Sequence, residues 1–338
     1  MTQVALVGGA HIHAPGFAKK LAEAGNVKTR YVWDPDPAVA KARQEVTGGE
    51  IVRDPATIFA DGDVAAVVIC SQTDLHERLV TDAAAAGKHM FVEKPLGMGG
   101  TDAYRMAQAI ERAGVIFQTG YFMRGQAGVQ AVRKLLADGL LGQITRMRLS
   151  NCHSGSLGGW FDTDWRWMAD PARAGCGGFG DLGTHVLDLL LWLREGDAVQ
   201  ACTGIIQSVT QRYGDCDESG EALIRFASGT AATIAAGWVD RANPNFLEVS
   251  GTQGHAHITR GKLYVNCEAL GADGKEPYAN LPDAWPHAFD IFLAHLTGDT
   301  THPCVGVREA ALRNSVMEAI YDGAASQQWA RPSIPTSV

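Results

Sequence analysis

The chain has 338 residues, 46% hydrophobic and 20% charged, with a formal net charge of −8 at pH 7. That length suggests about two domains, and such a chain buries roughly 75% of its unfolded surface, so stability needs neither disulfides nor a structural metal. An acidic balance with no basic block excludes nucleic acid and anionic membrane surfaces as expected partners. No apolar run approaches the ~20 residues of a membrane span. Seven cysteines, odd in number and without a C-x-x-C pair, indicate reduced thiols. Residues 1–7 enter a strand-like run with no basic n-region, so a cytoplasmic location is expected.

Over the first 120 residues, short apolar runs at 3–7, 28–33, 65–69, 88–92 and 115–118 alternate with helical stretches near 13–24, 36–46, 74–86 and 101–113. This rhythm predicts an α/β domain, residues 1–120, built on a doubly wound parallel Rossmann sheet. The run 64–69 lacks polar alternation, as expected of a strand covered on both faces. Beyond residue 120 the pattern changes. A helix at 126–137, a strand at 143–150, a Gly- and Trp-rich stretch at 155–180 and a helix at 183–194 precede several strand-like runs between 201 and 266. Helices near 286–298 and 306–322 follow. Residues 121–338 therefore read as an α+β domain with an open, mostly antiparallel sheet.

Gly8, Ala10, His11 and Ile12 lie in a turn between the first strand and a helix, where backbone N–H groups can receive a pyrophosphate. The match to G-x-G-x-x-G is partial, because His13 stands at the third glycine. Asp34 ends the second strand and can accept the hydroxyls of an adenosine ribose; as the residue before Pro35 it also suits a plain turn. Its charge would repel a 2′-phosphate, and 35–39 contain no Arg or Lys, so NAD is favoured over NADP. Ser71, Gln72, Thr73 and His76 follow the next central strand as further cofactor-side residues, with Thr73 or Asp74 alternatively a helix N-cap.

The most specific signal is Glu93-Lys94-Pro95 at a strand's carboxyl end, combined with Gly177-Gly178 and the Asp181-x-x-x-His185 spacing. Asp181 and His185 are four apart on a helix and share a face. With Lys94 they could handle the proton and the developing charge of a carbinol that loses hydride, with Asp181 orienting His185. These motifs, with the turn at 8–13 and His76, resemble the Gfo/Idh/MocA oxidoreductases over nearly the whole chain. The resemblance implies an NAD-dependent dehydrogenase of a sugar, inositol or related polyol, with Lys94, Asp181 and His185 catalytic and Glu93 and Lys94 at the cofactor. It also implies a cis bond before Pro95 and a homodimer or homotetramer formed through the open sheet. A cofactor-recycling oxidoreductive glycosidase is the alternative activity, and a non-catalytic NAD sensor a third.

Arg124, His153, Trp160, Trp165 and Arg166 are the expected substrate contacts, since aromatic faces stack on sugar rings and guanidinium groups bind hydroxyls or carboxylates. His11, His13 and His153 lack a completing ligand at metal-site spacing, so no metal is expected.

Overall fold

A computed structural model describes residues 1–335. Its first sheet contains β1 (Thr2–Val7), β2 (Val27–Trp33), β3 (Glu50–Ile51), β4 (Val64–Ile69), β5 (His89–Val92) and β6 (Phe117–Thr119). All pairs are parallel, in the order β3-β2-β1-β4-β5-β6. The connections are α1 (Ala14–Glu23), α2 (Pro37–Thr47), α3 (Ala56–Ala60), α4 (His76–Ala85) and α5 (Gly100–Ala113). The order reverses between β1 and β4, and in doubly wound sheets the ligand crevice opens at the strand ends beside that point. Local chemistry sets the boundaries. Asp36 caps α2 by accepting from the Ala38 N–H at 2.8 Å, and Gly48 closes it in the left-handed region at φ 71°. Sequence periodicity misses β3 and α3, which are too short to show any.

The second half contains α6 (Ala127–Ala137), β7 (Ile144–Cys152), α7 (Pro171–Ala174) and α8 (Gly178–Leu193), then β8 (Val199–Gln207), β9 (Ser219–Phe226), β10 (Ala231–Gly237), β11 (Asn245–Gly251), β12 (Gly254–Thr259), β13 (Lys262–Cys267) and β14 (Ala272–Asp273). Eight strands form one sheet in the order β14-β13-β12-β11-β7-β10-β9-β8. β7 and β10 run parallel and the other pairs antiparallel. One face packs its apolar side chains, among them Ile234 and Val249, with Phe179 and Leu187 of α8. From the other face Ile205 is 73% and Leu223 39% exposed.

The division near residue 120 separates the two sheets, but the polypeptide crosses it again. In α9 (Ala288–His295), Phe289 and Phe292 join Leu6, Phe17 and Phe91 in the first domain's core. In α10 (Val307–Ser326), Val307, Ala310 and Ala311 pack with Val92 and Ala107. Each phenylalanine buried this way stabilises the junction by roughly 1.5–3 kcal/mol. Among the described residues no helix is long and apolar enough to cross a membrane.

Candidate active site

Lys94 follows β5, and its Nζ donates to Asp181 Oδ1 at 2.6 Å. The Lys94–Pro95 peptide is cis. Asp181 lies in the first turn of α8, and its Oδ2 accepts from the Trp238 indole N–H at 3.0 Å. Burial alone would raise the Asp181 carboxyl, but the Lys94 ammonium, its hydrogen bond, and Trp238 outweigh it and hold the group down at about 2. Burial likewise works against the Lys94 charge, yet Asp181 and Glu93 raise its pKa above the ordinary value. The result is a buried, ionised pair. His185 is one helical turn further on and 4% exposed. Burial, then the Lys94 charge, push its pKa well down, which keeps the imidazole neutral. Its Nδ1 is buried without a hydrogen-bond partner. Asp181 therefore orients Lys94, not His185, which corrects the expected pairing. The His185 ring is instead held edge-on by Phe122, centroids 5.5 Å apart.

The helix carrying these groups starts at Gly178, five residues before the expected 183. Asp217 explains the difference. Its carboxylate accepts from the N–H groups of Gly177 at 3.0 Å and Phe179 at 2.8 Å, and from the Tyr321 hydroxyl at 3.0 Å. A Cβ on Gly178 would stand 2.5 Å from the Glu218 carbonyl oxygen, so the close approach requires glycine there.

Glu93 is fully buried. Its Oε1 accepts from His13 Nδ1 at 2.8 Å, and its Oε2 has no partner. Burial opposes its ionisation, but His13, His11 and Lys94 hold it down at about 2. His11 Nδ1, His13 Nδ1 and a Glu93 oxygen lie within 4.8 Å of one another, the one such cluster among the described residues. His11 Nδ1 already accepts the His13 backbone N–H at 3.2 Å, so its lone pair is committed inside the protein. His76 donates through Nδ1 to the Leu96 carbonyl at 3.1 Å and so supports the Glu93–Leu96 segment from behind.

At the Gly-rich turn, Gly8 has φ +84°, and a Cβ there would sit 2.4 Å from that of Ser71. Both constraints demand glycine. Asp34 accepts from the Gly9 N–H at 2.7 Å and the Asp36 N–H at 2.9 Å. The His11 N–H is spent on the Cys70 carbonyl. Beside the turn a cleft of about 950 Å³ is lined by Ala10, Asp36, Val39, Arg43 and Gln72 from the first domain and by Trp165, Arg166, Trp167 and Tyr213 from the second. Trp167 donates its indole N–H to the Ala10 carbonyl at 3.2 Å. The cleft's size and the buried unpartnered Gln72 Oε1 fit a dinucleotide at the Gly-rich turn, and Glu93, whose Oε2 is buried and unpartnered, precedes Lys94 at the end of β5. Ser71 and Thr73 are buried along this path.

Three of the expected substrate residues need correction. Trp165 and Arg166 line the cleft beside Ala10 and Arg43, at the Gly-rich end, and Arg166 lies over the Tyr213 ring at 4.7 Å. Arg124 turns its guanidinium to Asp188 at 2.8 and 2.5 Å and to Glu309 at 2.7 Å, through Nε and Nη2, which ties it to these carboxylates. The fold needs that charge there because Asp188, on α8, is 1% exposed and requires cations. The rings of His153 and Trp160 lie 4.8 Å apart, with His153 within the electrostatic reach of Asp181 and Lys94. Sequence reasoning missed Arg43, Trp238, Asp217 and His287. Arg43 reaches the Gly9 carbonyl at 3.0 Å from the side of α2, seven residues beyond Asp36 and past the stretch read for a basic residue. No local motif marks the other three, which come from distant strands and loops.

A family model described as an oxidoreductase family NAD-binding Rossmann fold matches residues 2–121, and one described as a GFO/IDH/MocA C-terminal domain matches residues 129–257. Levoglucosan dehydrogenase from Pseudarthrobacter phenanthrenivorans is 28% identical over 324 residues, covering 81% of each chain. A 2,7-anhydro-N-acetylneuraminate hydratase from Mediterraneibacter gnavus is 26% identical over 246 residues, covering 72% of this chain and 63% of that protein. In structure, levoglucosan dehydrogenase in complex with NADH and levoglucosan superposes with a TM-score of 0.81 at 23% identity, over 98% of this chain and 99% of the other.

Proposed function

This chain belongs to the GFO/IDH/MocA oxidoreductase family, with an NAD-binding Rossmann domain, and on that footing we propose that it exchanges hydride reversibly between NAD and a secondary alcohol of a cyclic sugar, inositol or related polyol. The observation that carries this reading is the buried Lys94–Asp181 pair, 2.6 Å between Nζ and Oδ1, with a neutral His185 one helical turn beyond Asp181.

Asp34 would hold the adenosine ribose, the N–H groups of Ala10 and Ile12 the pyrophosphate, and Ser71, Gln72, Thr73 and Glu93 the nicotinamide half. Bound there, NAD supplies a two-electron hydride acceptor. Lys94, held charged by Asp181, hydrogen-bonds the substrate oxygen and stabilises the negative charge that grows on it as C–H breaks. His185 has a neutral imidazole at pH 7 and takes the hydroxyl proton; general-base help of this kind is worth roughly 10²–10⁴ in rate. Phe122 restricts the ring, and the low exposure of both groups keeps bulk water from competing for the oxygen. His153 and Trp160 flank the same end and suit a ring face with hydroxyls. The Asp34 carboxylate at the ribose end disfavours an added 2′-phosphate charge, which supports NAD over NADP.

A panel of levoglucosan, inositols, aldoses, uronates and glycosides, followed at 340 nm with NAD and with NADP, tests the reading. NADH must form with at least one of them, and Lys94→Met must abolish it. A non-catalytic sensor would have no use for the complete Lys94, Asp181 and His185 set. Cofactor-recycling elimination is favoured by one observation only, the His13–Glu93 contact. The outward Ile205 and Leu223 support assembly of copies through the open sheet face.

A further inference from the structure

Two consecutive residues at the end of β5 each hold an acid–base partner: Lys94 holds Asp181, and Glu93 holds His13. Hydride transfer uses the first pair and, in the second, leaves the His13 imidazole without a task. His13 stands where the dinucleotide turn ordinarily has its third glycine, so its imidazole is an addition to that turn. We propose that His13, oriented by Glu93, is a second catalytic base at the end of β5, one that removes the proton from the carbon next to the oxidised carbinol. The proposal rests on the hydride-transfer reading above.

The geometry has the form of a carboxylate–imidazole dyad. Because a carboxylate only accepts, Nδ1 of His13 carries the hydrogen of the 2.8 Å bond, and Nε2 is left with a bare lone pair. The His13 side chain is 41% exposed while Glu93 is fully buried, so the base faces open space and its anchor does not. Glu93 Oε2 is buried and unpartnered, and the carboxylate therefore has capacity for the charge His13 gains when it takes a proton. His13 also shares a wall with the first site. Its ring contacts Phe17, Phe17 meets His287 at 6.1 Å, His287 stacks on Phe122 at 5.1 Å, and Phe122 holds His185.

The step balances without a further reagent. Once the carbinol is a carbonyl, its neighbouring C–H is acidic. His13 Nε2 accepts that proton, the C–H electron pair becomes the C=C bond of an enolate, and Lys94 holds the enolate oxygen. Return of the proton gives exchange. Where the next carbon bears an oxygen substituent, the electron pair expels it, and the His13 imidazolium protonates the departing oxygen. Addition of water and return of hydride then complete a redox-neutral cleavage. The substrate class is an anhydro-sugar or glycoside whose leaving oxygen is two carbons from the oxidised one.

The test incubates the protein with NAD in D₂O and levoglucosan, myo-inositol or methyl β-D-glucoside, follows NADH, and examines the recovered sugar by ¹H NMR. The wild-type protein is expected to place deuterium on the carbon beside the oxidised one. In His13→Asn, which keeps a donor for Glu93, deuterium per NADH formed should fall at least about tenfold, the lower side of general-base contributions. His13→Gly, which restores the usual small residue, should behave the same way if the asparagine variant folds poorly. NADH formation with no deuterium in the wild type, or an equal ratio in both variants, overturns the proposal alone. Neither NADH formation, nor deuterium incorporation, nor cleavage with any probe overturns the hydride-transfer reading and this proposal together.

Discussion

Replacing Lys94 with Met removes the cation from a buried pair whose side chains are 2% and 14% exposed. The Asp181 carboxyl sits at about 2 against an ordinary 3.8, and at 1.36 kcal/mol per unit its environment favours the charged form by about 2 kcal/mol. Taking away the lysine leaves a carboxylate with only Trp238, and breaking a buried pair costs about 3–5 kcal/mol. Asp181→Asn strands the ammonium at similar cost. The double variant Lys94→Met/Asp181→Asn strands nothing, and its amide can still accept from Trp238, so it should recover most of the stability. For domains of this size ~1 kcal/mol moves the melting midpoint by about 2–4 °C, so the single variants should melt roughly 10 °C low and the double variant much closer to wild type. Activity should not follow. Lys94→Met and the double should lose about 10²–10³ in kcat, because the charge stabilising the substrate oxygen is gone in both, and Asp181→Asn should also lose kcat because the remaining ammonium no longer has the carboxylate that holds it charged and in place. Thermal melts with NADH assays on the four proteins measure both. Additive losses of stability, or a double variant that regains activity, would refute the coupled-pair account.

The pH dependence of the melts follows from the same pair. Asp181 titrates lower when folded, so its contribution is complete above about pH 4 and is lost as pH falls through 2. Lys94 is raised, so its contribution is complete below about pH 10 and fades above its folded value; the double variant should show a flatter acid limb. Arg124→Met should lower the melting midpoint, by up to about 3 kcal/mol of stability, because the buried Asp188 keeps only Arg313 as its cation, while the sugar KM stays within about twofold. Asp34→Ala should weaken NAD binding in titration calorimetry by about 10–100-fold, the worth of hydrogen bonds to a charged acceptor, and should narrow the preference over NADP. Ile205→Glu should shift the sedimentation of any assembly toward the monomer, since it puts charge on the outward face of β8.

The first domain was legible because its strands are buried on both faces and alternate with helices. Val64–Ile69 reads as a strand with no knowledge of its neighbours. The chemical groups Lys94, Asp181 and His185 were legible through spacing and a strand-end motif. Their partnerships were not. Asp181 faces Lys94 rather than His185 because the first turn of α8 is set by Asp217, some 40 residues downstream, which no periodicity reports. Arg124 reads as a pocket residue because the sequence does not show that Asp188 will be buried and need its charge. The place of Trp165 and Arg166 at the Gly-rich end of the cleft is illegible for a related reason: the Gly- and Trp-rich stretch has no regular period, so its path back over Ala10 emerges only in three dimensions.

A structure of the protein with NADH bound is the most direct test of the account. The nicotinamide must lie at the β5 end with its reactive carbon facing Lys94 and His185, and the pyrophosphate must sit on the turn at Ala10 and Ile12. A dinucleotide lying elsewhere, or with its nicotinamide turned away from those two side chains, contradicts it.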